Sequence, residues 1–249
     1  MPKNICIIQV RLGSIRLPGK VLKKIGDKCL LEYEIDRVKQ AKKIDKIVIA
    51  TTLSPEDEKI EELCDRVGVD CFRGSENDVL GRYFQCAQKY SEYENIIRIT
   101  GDCPLIDPAV IDQIVEIFEK NNCDYASNVE VETFPDGMDA EVFKKSTLGE
   151  AAEKAKLASE REHVTPYIRK NAKLKMNLTS EVDFSEFRLT VDNQEDFEVI
   201  DFLIKTIGPE KGYKDYVSVL VKHPEIRQKN LQIKRNEGYI KSLKEDKIL

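Results

Sequence analysis

The sequence predicts an α/β chain built on a mostly parallel sheet. Three observations carry the prediction. Short apolar runs alternate with amphipathic stretches of helical period from residue 5 to residue 121. The first run, 5–10, is apolar enough for a strand covered on both faces. The two loops richest in chemistry, around Arg11 and Asp102, directly follow strands. In open α/β sheets ligands gather at the carboxyl ends of the strands.

The elements follow in order. The strand over 5–10 opens into the basic loop Arg11-Leu12-Gly13-Ser14-Ile15-Arg16-Leu17-Pro18-Gly19-Lys20. Pro18 and the two glycines keep that loop out of regular structure. Leu30, Leu31, Ile35 and Val38 then recur at helical spacing. A second strand spans 47–50. Thr51, Thr52, Ser54 and Pro55 open a helix with Glu56, Asp57 and Glu58 in its first turn, which suits a cap and the helix dipole. Ile60, Leu63 and Val67 form its inner face, and Gly68 stops it. A third strand spans 69–72, a polar loop 73–81 and a helix about 82–89. The fourth strand, 96–100, ends at Gly101-Asp102-Cys103-Pro104. Asp107 caps a helix that starts at Pro108 and carries Val110, Ile111, Ile114, Ile117 and Phe118.

Beyond residue 121 the regularity weakens. Strands are expected over 125–128, 140–143, 174–178 and 187–191, and helices over 146–157, 161–170 and 216–221. A further helix begins at Asp192-Asn193-Gln194-Glu195-Asp196 and carries Phe197, Ile200, Phe202 and Ile204. The tail from about 227 is polar and charged, either a helical arm or a frayed end. Without an internal repeat, a low-complexity tract or a clear linker, residues 1–249 are expected to form a single domain.

Composition narrows the function. Hydrophobic residues make up 41% of the 249, enough for a substantial core, and the net charge is −5. An acidic protein is a poor binder of nucleic acid or anionic membrane, and its basic clusters are not interleaved with aromatics. No apolar run could span a bilayer, and the N-terminus leads straight into a strand, so no signal peptide is expected. The seven cysteines are scattered without a Cys-x-x-Cys pair. Buried free thiols in a reducing cytoplasm are the expectation.

Two constellations carry chemistry. In the basic loop Arg11, Arg16 and Lys20 can surround a polyphosphate, with N–H groups near Gly13 and Ser14 completing the cradle. The spacing is not that of a P-loop: Val21 stands where Ser or Thr is needed, and no Gly-x-Gly-x-x-Gly occurs. The second constellation is Asp102 and Asp192, each following an apolar strand, in Ile-Thr-Gly-Asp and Leu-Thr-Val-Asp. Alone, each is a helix cap. Should their strands be neighbours, the two carboxylates can hold one hard cation such as Mg²⁺. The nucleotide side is then assigned to Val10, Arg11, Leu12, Gly13, Ser14, Arg16, Lys20, Thr51, Thr52, Arg73, Gly101 and Asp102. Polar segments at 73–82, 136–141 and 161–167 supply candidates for a second substrate: Asp78, Arg82, Asp139, Glu141 and His163.

These residues resemble the cytidylyltransferases that make CMP-activated acid sugars, such as the 3-deoxy-manno-octulosonate and acylneuraminate enzymes. The likeness rests on the basic loop, on Gly101-Asp102-Cys103-Pro104-Leu105-Ile106 and on Val191-Asp192-Asn193-Gln194-Glu195-Asp196. Three further stretches are similar to the branch called spore coat polysaccharide biosynthesis protein F: 73–80, 137–143 and 161–167. The resemblance implies a three-layer α/β/α Rossmann-like nucleotidyltransferase fold with a mostly parallel mixed sheet. It implies CTP, Mg²⁺ on Asp102 and Asp192, a sugar or acid-sugar acceptor, pyrophosphate as product and a homodimer. Asn193 stands where the family often has Thr. A glycosyltransferase using a nucleotide-sugar donor and a non-catalytic nucleotide-binding protein are the alternatives.

Overall fold

A computed structural model describes residues 3–248. Its first half runs β1 (Asn4–Gln9), the short strands β2 (Lys24–Ile25) and β3 (Lys28–Cys29), α1 (Leu30–Val38), β4 (Lys46–Thr52) and α2 (Glu58–Val67). Then come β5 (Asp70–Gly74), α3 (Val79–Lys89), β6 (Asn95–Thr100) and α4 (Pro108–Asn121). The second half runs β7 (Tyr125–Ser127), β8 (Glu141–Lys144), α5 (Lys145–Lys154), α6 (Ala158–His163), α7 (Pro166–Asn171) and β9 (Lys175–Asn177). It ends with α8 (Gln194–Ile207), α9 (Tyr213–Lys222), α10 (Pro224–Arg227) and α11 (Glu237–Lys244).

Among the described residues, seven strands form one sheet in the order β5-β4-β1-β6-β8-β7-β9. The first four of that order are mutually parallel. β8 is antiparallel to both its neighbours, and β9 runs parallel to β7. β1 is central because both its faces are apolar. Ile5 and Ile7 pack with Leu80, Tyr83 and Leu148 on one side, and Cys6 and Ile8 with Leu31, Ile35 and Ile111 on the other. Each such isoleucine, removed from water, contributes about 1.5–3 kcal/mol. The result is three layers, α/β/α, as expected. None of the helices is long and apolar enough to cross a membrane, among the described residues.

Four expectations need correction. The helix expected from about 82 starts at Val79, because the Asp78 carboxylate caps it by accepting from Gly81 N at 2.9 Å. The helix expected over 161–170 is two helices. Pro166 starts the second one, and Val164 between them sits at φ 70. Residues 187–191 do not join the sheet, among the described residues; Arg188 makes an isolated bridge to the loop residue Asp136 instead. The helix expected to reach 157 ends at Lys154. The tail is an arm whose helix α11 packs against α6.

Candidate active site

The basic loop leaves β1 tied to the end of β4. Val10 N donates to Ala50 O at 3.1 Å, and Leu12 N to Asp57 Oδ1 at 2.8 Å. Leu12 and Leu17 are buried beneath the loop, and Gly19 N closes it onto Leu12 O at 3.2 Å. Buried Asp57 also accepts from the Thr51 hydroxyl at 3.0 Å, from Thr52 N at 3.1 Å and from the Thr52 hydroxyl. Thr51 and Thr52 are thus fully buried and support the loop through Asp57. Gly13 and Ser14 are partly exposed. At the loop surface Arg11 pairs with Glu76 at 3.2 Å.

The other two cations of the loop point to the carboxylate pair. Lys20 Nζ donates to Asp102 Oδ2 and to Asp192 Oδ1, both at 2.9 Å, and to Val191 O at 2.8 Å. Arg16 reaches Asp192 Oδ1 at 2.6 Å and Glu237 at 3.7 Å. The two aspartates converge because their loops are joined through the backbone. Val191 N donates to Asp102 O at 2.9 Å, and the Thr190 hydroxyl to the same oxygen at 3.0 Å. Gly101 is needed at this crossing, since a Cβ there would lie 2.5 Å from Val10 Cγ2. Burial alone would raise the Asp192 carboxyl, but Lys20, Arg16 and Arg188 outweigh it and hold the pKa down at about 2. Burial would lower Lys20, yet Asp102 and Asp192 raise it, so the ammonium stays charged.

A second network lines the same cavity of about 250 Å³. Glu141 on β8 faces Arg98 on β6 in register and pairs with it. Glu141 Oε1 also accepts from the Tyr125 hydroxyl at 2.6 Å and from Arg169 at 2.9 Å. Burial would raise the Glu141 carboxyl, but Arg169 and Arg98 bring it down to about 2. Asp139 pairs with Arg235, yet burial and the nearby Asp136 push it up to about 7. Gly137, at φ +101, lets this loop touch the 187–191 segment: a Cβ would lie 2.6 Å from Thr190 N.

The structure therefore gathers Arg16, Asp102, Asp139, Glu141, His163 and Asp192 around one cavity, with Lys20 between the two aspartates. It does not bring the remaining candidates to that cavity. Arg73 closes the end of β4 by donating to Thr52 O at 3.0 Å and Ser54 O at 2.8 Å. Asp78 caps α3 and pairs with Arg161 at 2.6 Å. Arg82 is buried and donates to Ser75 O at 2.7 Å. These three hold polar loops in shape.

Several groups at or beneath the cavity escaped the sequence reading. Arg188 pairs with Asp136, with Asp192 at 2.8 Å and with Asp196 at 2.8 Å. Asp196 in turn accepts from Asp192 N at 2.9 Å, which fixes the turn that presents Asp192. Glu34 is fully buried under the Asp102 loop and accepts from Cys103 N at 3.1 Å. Its signal was legible: Glu34 lies on the apolar stripe Leu30, Glu34, Val38, where an acid has no business unless paired. Arg188, flanked by Phe187 and Leu189, gave no comparable signal.

Asp102 Oδ2, Asp192 Oδ1 and Val191 O form a set of hard oxygens already gathered around one cation, the Lys20 ammonium. Such a set fits a divalent cation like Mg²⁺, which takes one or two carboxylates and fills its other positions with water and phosphate oxygens. No group of three or more His, Cys, Asp or Glu forms a closed metal cage among the described residues.

Comparison with known proteins identifies the family. Residues 5–238 match the cytidylyltransferase family. An uncharacterised protein of Methanocaldococcus jannaschii is 41% identical over 238 residues, covering 94% of this chain and 96% of that protein. Spore coat polysaccharide biosynthesis protein SpsF of Bacillus subtilis is 33% identical over 230 residues, covering 88% and 94%. A solved cytidylyltransferase from Leptospira borgpetersenii serovar Hardjo-bovis superposes with a TM-score of 0.86 at 38% identity, covering 92% of this chain and 98% of that one. The fold is thus the Rossmann-like nucleotidyltransferase fold, and the chain belongs to the cytidylyltransferase family.

Proposed function

We propose that the protein transfers the CMP unit of CTP to a hydroxyl of a sugar or acid sugar, with Mg²⁺ and with release of pyrophosphate. The product is an activated sugar for polysaccharide assembly. In this reading the chain is a single domain that works in the cytoplasm as a homodimer.

One observation carries the reading: Lys20 of the basic loop bridges the two carboxylates Asp102 and Asp192, and Arg16 of the same loop ends on Asp192. A phosphate-binding loop and a metal-binding pair therefore meet at one point. Without nucleotide, each neutralises the other. An entering triphosphate offers new oxygens to Arg16 and Lys20, whose donors re-pair with phosphate. Asp102 and Asp192 are then free to hold Mg²⁺, which when bound neutralises charge on the phosphoryl oxygens. The acceptor hydroxyl oxygen bonds to the α-phosphorus and releases its proton to water as the bond to the pyrophosphate oxygen breaks. The chain's own contribution is to align the acceptor and to exclude water. In this reading Glu141, Asp139 and His163, which line the cavity, face the acceptor, while Arg11, Gly13 and Ser14 cover the outer phosphates.

The test is a pyrophosphate-release assay with CTP, UTP, GTP and ATP against acid sugars and sugar phosphates, with and without Mg²⁺. Metal-dependent release with CTP and one acceptor supports the reading. Sugar transfer from a nucleotide-sugar donor without pyrophosphate would sink it, as would tight CTP binding with no turnover.

A further inference from the structure

Residues 235–248 fold back across the cavity and are held at both ends. Arg235 donates to Asp139 and, at 3.2 Å, to Phe134 O. At the far end Asp246 accepts from Ser159 Oγ at 2.7 Å, and Ala158 N donates to Lys247 O at 2.9 Å. Between these anchors Asn236, Glu237, Gly238 and Tyr239 line the cavity together with His163. The Tyr239 ring meets the His163 imidazole edge-on at 4.9 Å.

His163 is held from both directions. Its Nε2 lies 3.0 Å from Ser242 Oγ on α11. On its other side, Val164 is a buried β-branched residue at φ 70 and ψ −57, and Thr165 N donates to His163 O at 2.8 Å. That is a γ-turn of the rare positive-φ kind, a strained backbone that persists only where its surroundings enforce it. Strain of this sort clusters at ligand sites.

The hydrogen-bond partners favour one position for the imidazole proton. Ser242 has one hydroxyl proton, and its two other partners only accept: Glu162 Oε2 at 2.8 Å and Gly238 O at 3.0 Å. The carboxylate is the stronger of these acceptors and takes that proton, which leaves Ser242 Oγ to accept from the imidazole. Nδ1 has no hydrogen-bond partner among the described residues. We infer that Ser242 is a positioning residue that fixes His163 with its proton on Nε2, so that Nδ1 accepts a hydrogen bond from an acceptor hydroxyl and the C-terminal arm is a wall of the acceptor pocket. The assignment of the hydroxyl partner rests on the function proposed above; the tautomer does not. Burial lowers the His163 pKa, and Arg98 and Arg169 lower it further against Glu162, so the ring is neutral near pH 7.

The chain has two histidines, so ¹⁵N-labelled protein gives a simple imidazole spectrum, assigned with His223→Gln. Near neutral pH, two-bond ¹⁵N–¹H correlations should show His163 as the pure Nε2–H form. Ser242→Ala should shift it to a tautomer mixture while leaving the melting transition in place, and Ser242→Thr should restore the single form. With the acceptor that turns over, Ser242→Ala should raise the acceptor KM on the order of tenfold, the loss of one hydrogen bond, with the CTP KM unchanged. An Nδ1–H form in the wild type, or a Ser242→Ala spectrum identical to it, overturns the inference. So does an equal rise in both KM values. The spectrum needs no substrate, so its failure is distinguishable from failure of the cytidylyl-transfer reading.

Discussion

Two charge networks share one cavity and are built in opposite ways. The first joins Arg16 and Lys20 to Asp102 and Asp192, and its aspartate side chains keep 24% and 18% of their exposure. The second joins Arg98, Arg169 and Tyr125 to Glu141, which keeps 2%. The first network spans loops at strand ends. The second is set on paired strands, with Arg98 and Glu141 in register. Breaking the second leaves buried charges without partners, whereas the first can trade its partners for phosphate and water. The difference teaches that one cavity can separate charges spent on architecture from charges kept for exchange, and that backbone regularity marks which is which.

The comparison can be broken most forcefully at Glu141. Glu141→Ala should cost about 3 kcal/mol of stability by stranding the largely buried Arg98 and the half-buried Arg169, read as a lower urea midpoint; wild-type stability would abolish the distinction. Asp102→Asn should do the reverse. Pyrophosphate release should fall on the order of 10²–10³-fold, while the melting transition stays close to wild type. A variant that unfolds instead would make the first network architectural too. Lys20→Ala should raise the KM for CTP roughly 10- to 100-fold, as expected for charge-assisted hydrogen bonds. An unchanged KM and kcat would remove the phosphate role of the loop.

The smallest effect concerns pH. Glu141 and Asp192 are both held at about 2, below the ordinary carboxylate range. A carboxyl whose folded pKa is depressed binds its proton more readily when unfolded. The stability it contributes is therefore complete above about pH 4 and disappears as pH falls through about 2. Urea midpoints measured across that window should fall, and Glu141→Ala should flatten the slope more than Asp192→Asn. Identical slopes in both variants and the wild type would contradict the assigned pairings.

Much of the frame was legible from residues close in the chain. The strand before the basic loop, the Asp107 cap ahead of Pro108 and the stop at Gly68 all follow from local sterics and hydrogen bonding. The pairing of Asp102 with Asp192 was legible as a conditional, because both aspartates follow similar apolar runs. The manner of their meeting was not. Residues 187–191 read as a strand, yet their backbone partners are Asp136 and Asp102, in loops. The break at Val164 escaped a periodicity argument, since a positive φ at a β-branched residue runs against its own preference. Asp78 and Arg82 read as substrate groups because exposure and burial leave the same mark on a polar sequence.

By itself the sequence determined the alternation of strands and helices, the purely apolar centre of the sheet and the chemical kind of each loop. Those properties depend on spacings of a few residues, where side-chain period and capping decide the outcome. Only the tertiary structure decided that Lys20 stands between Asp102 and Asp192, that Arg188 braces the second of them and that the C-terminal arm reaches His163. Charges pair by distance in space. Lys20 and Asp192, 172 positions apart in the chain, become neighbours only after the sheet has brought its loops to one edge.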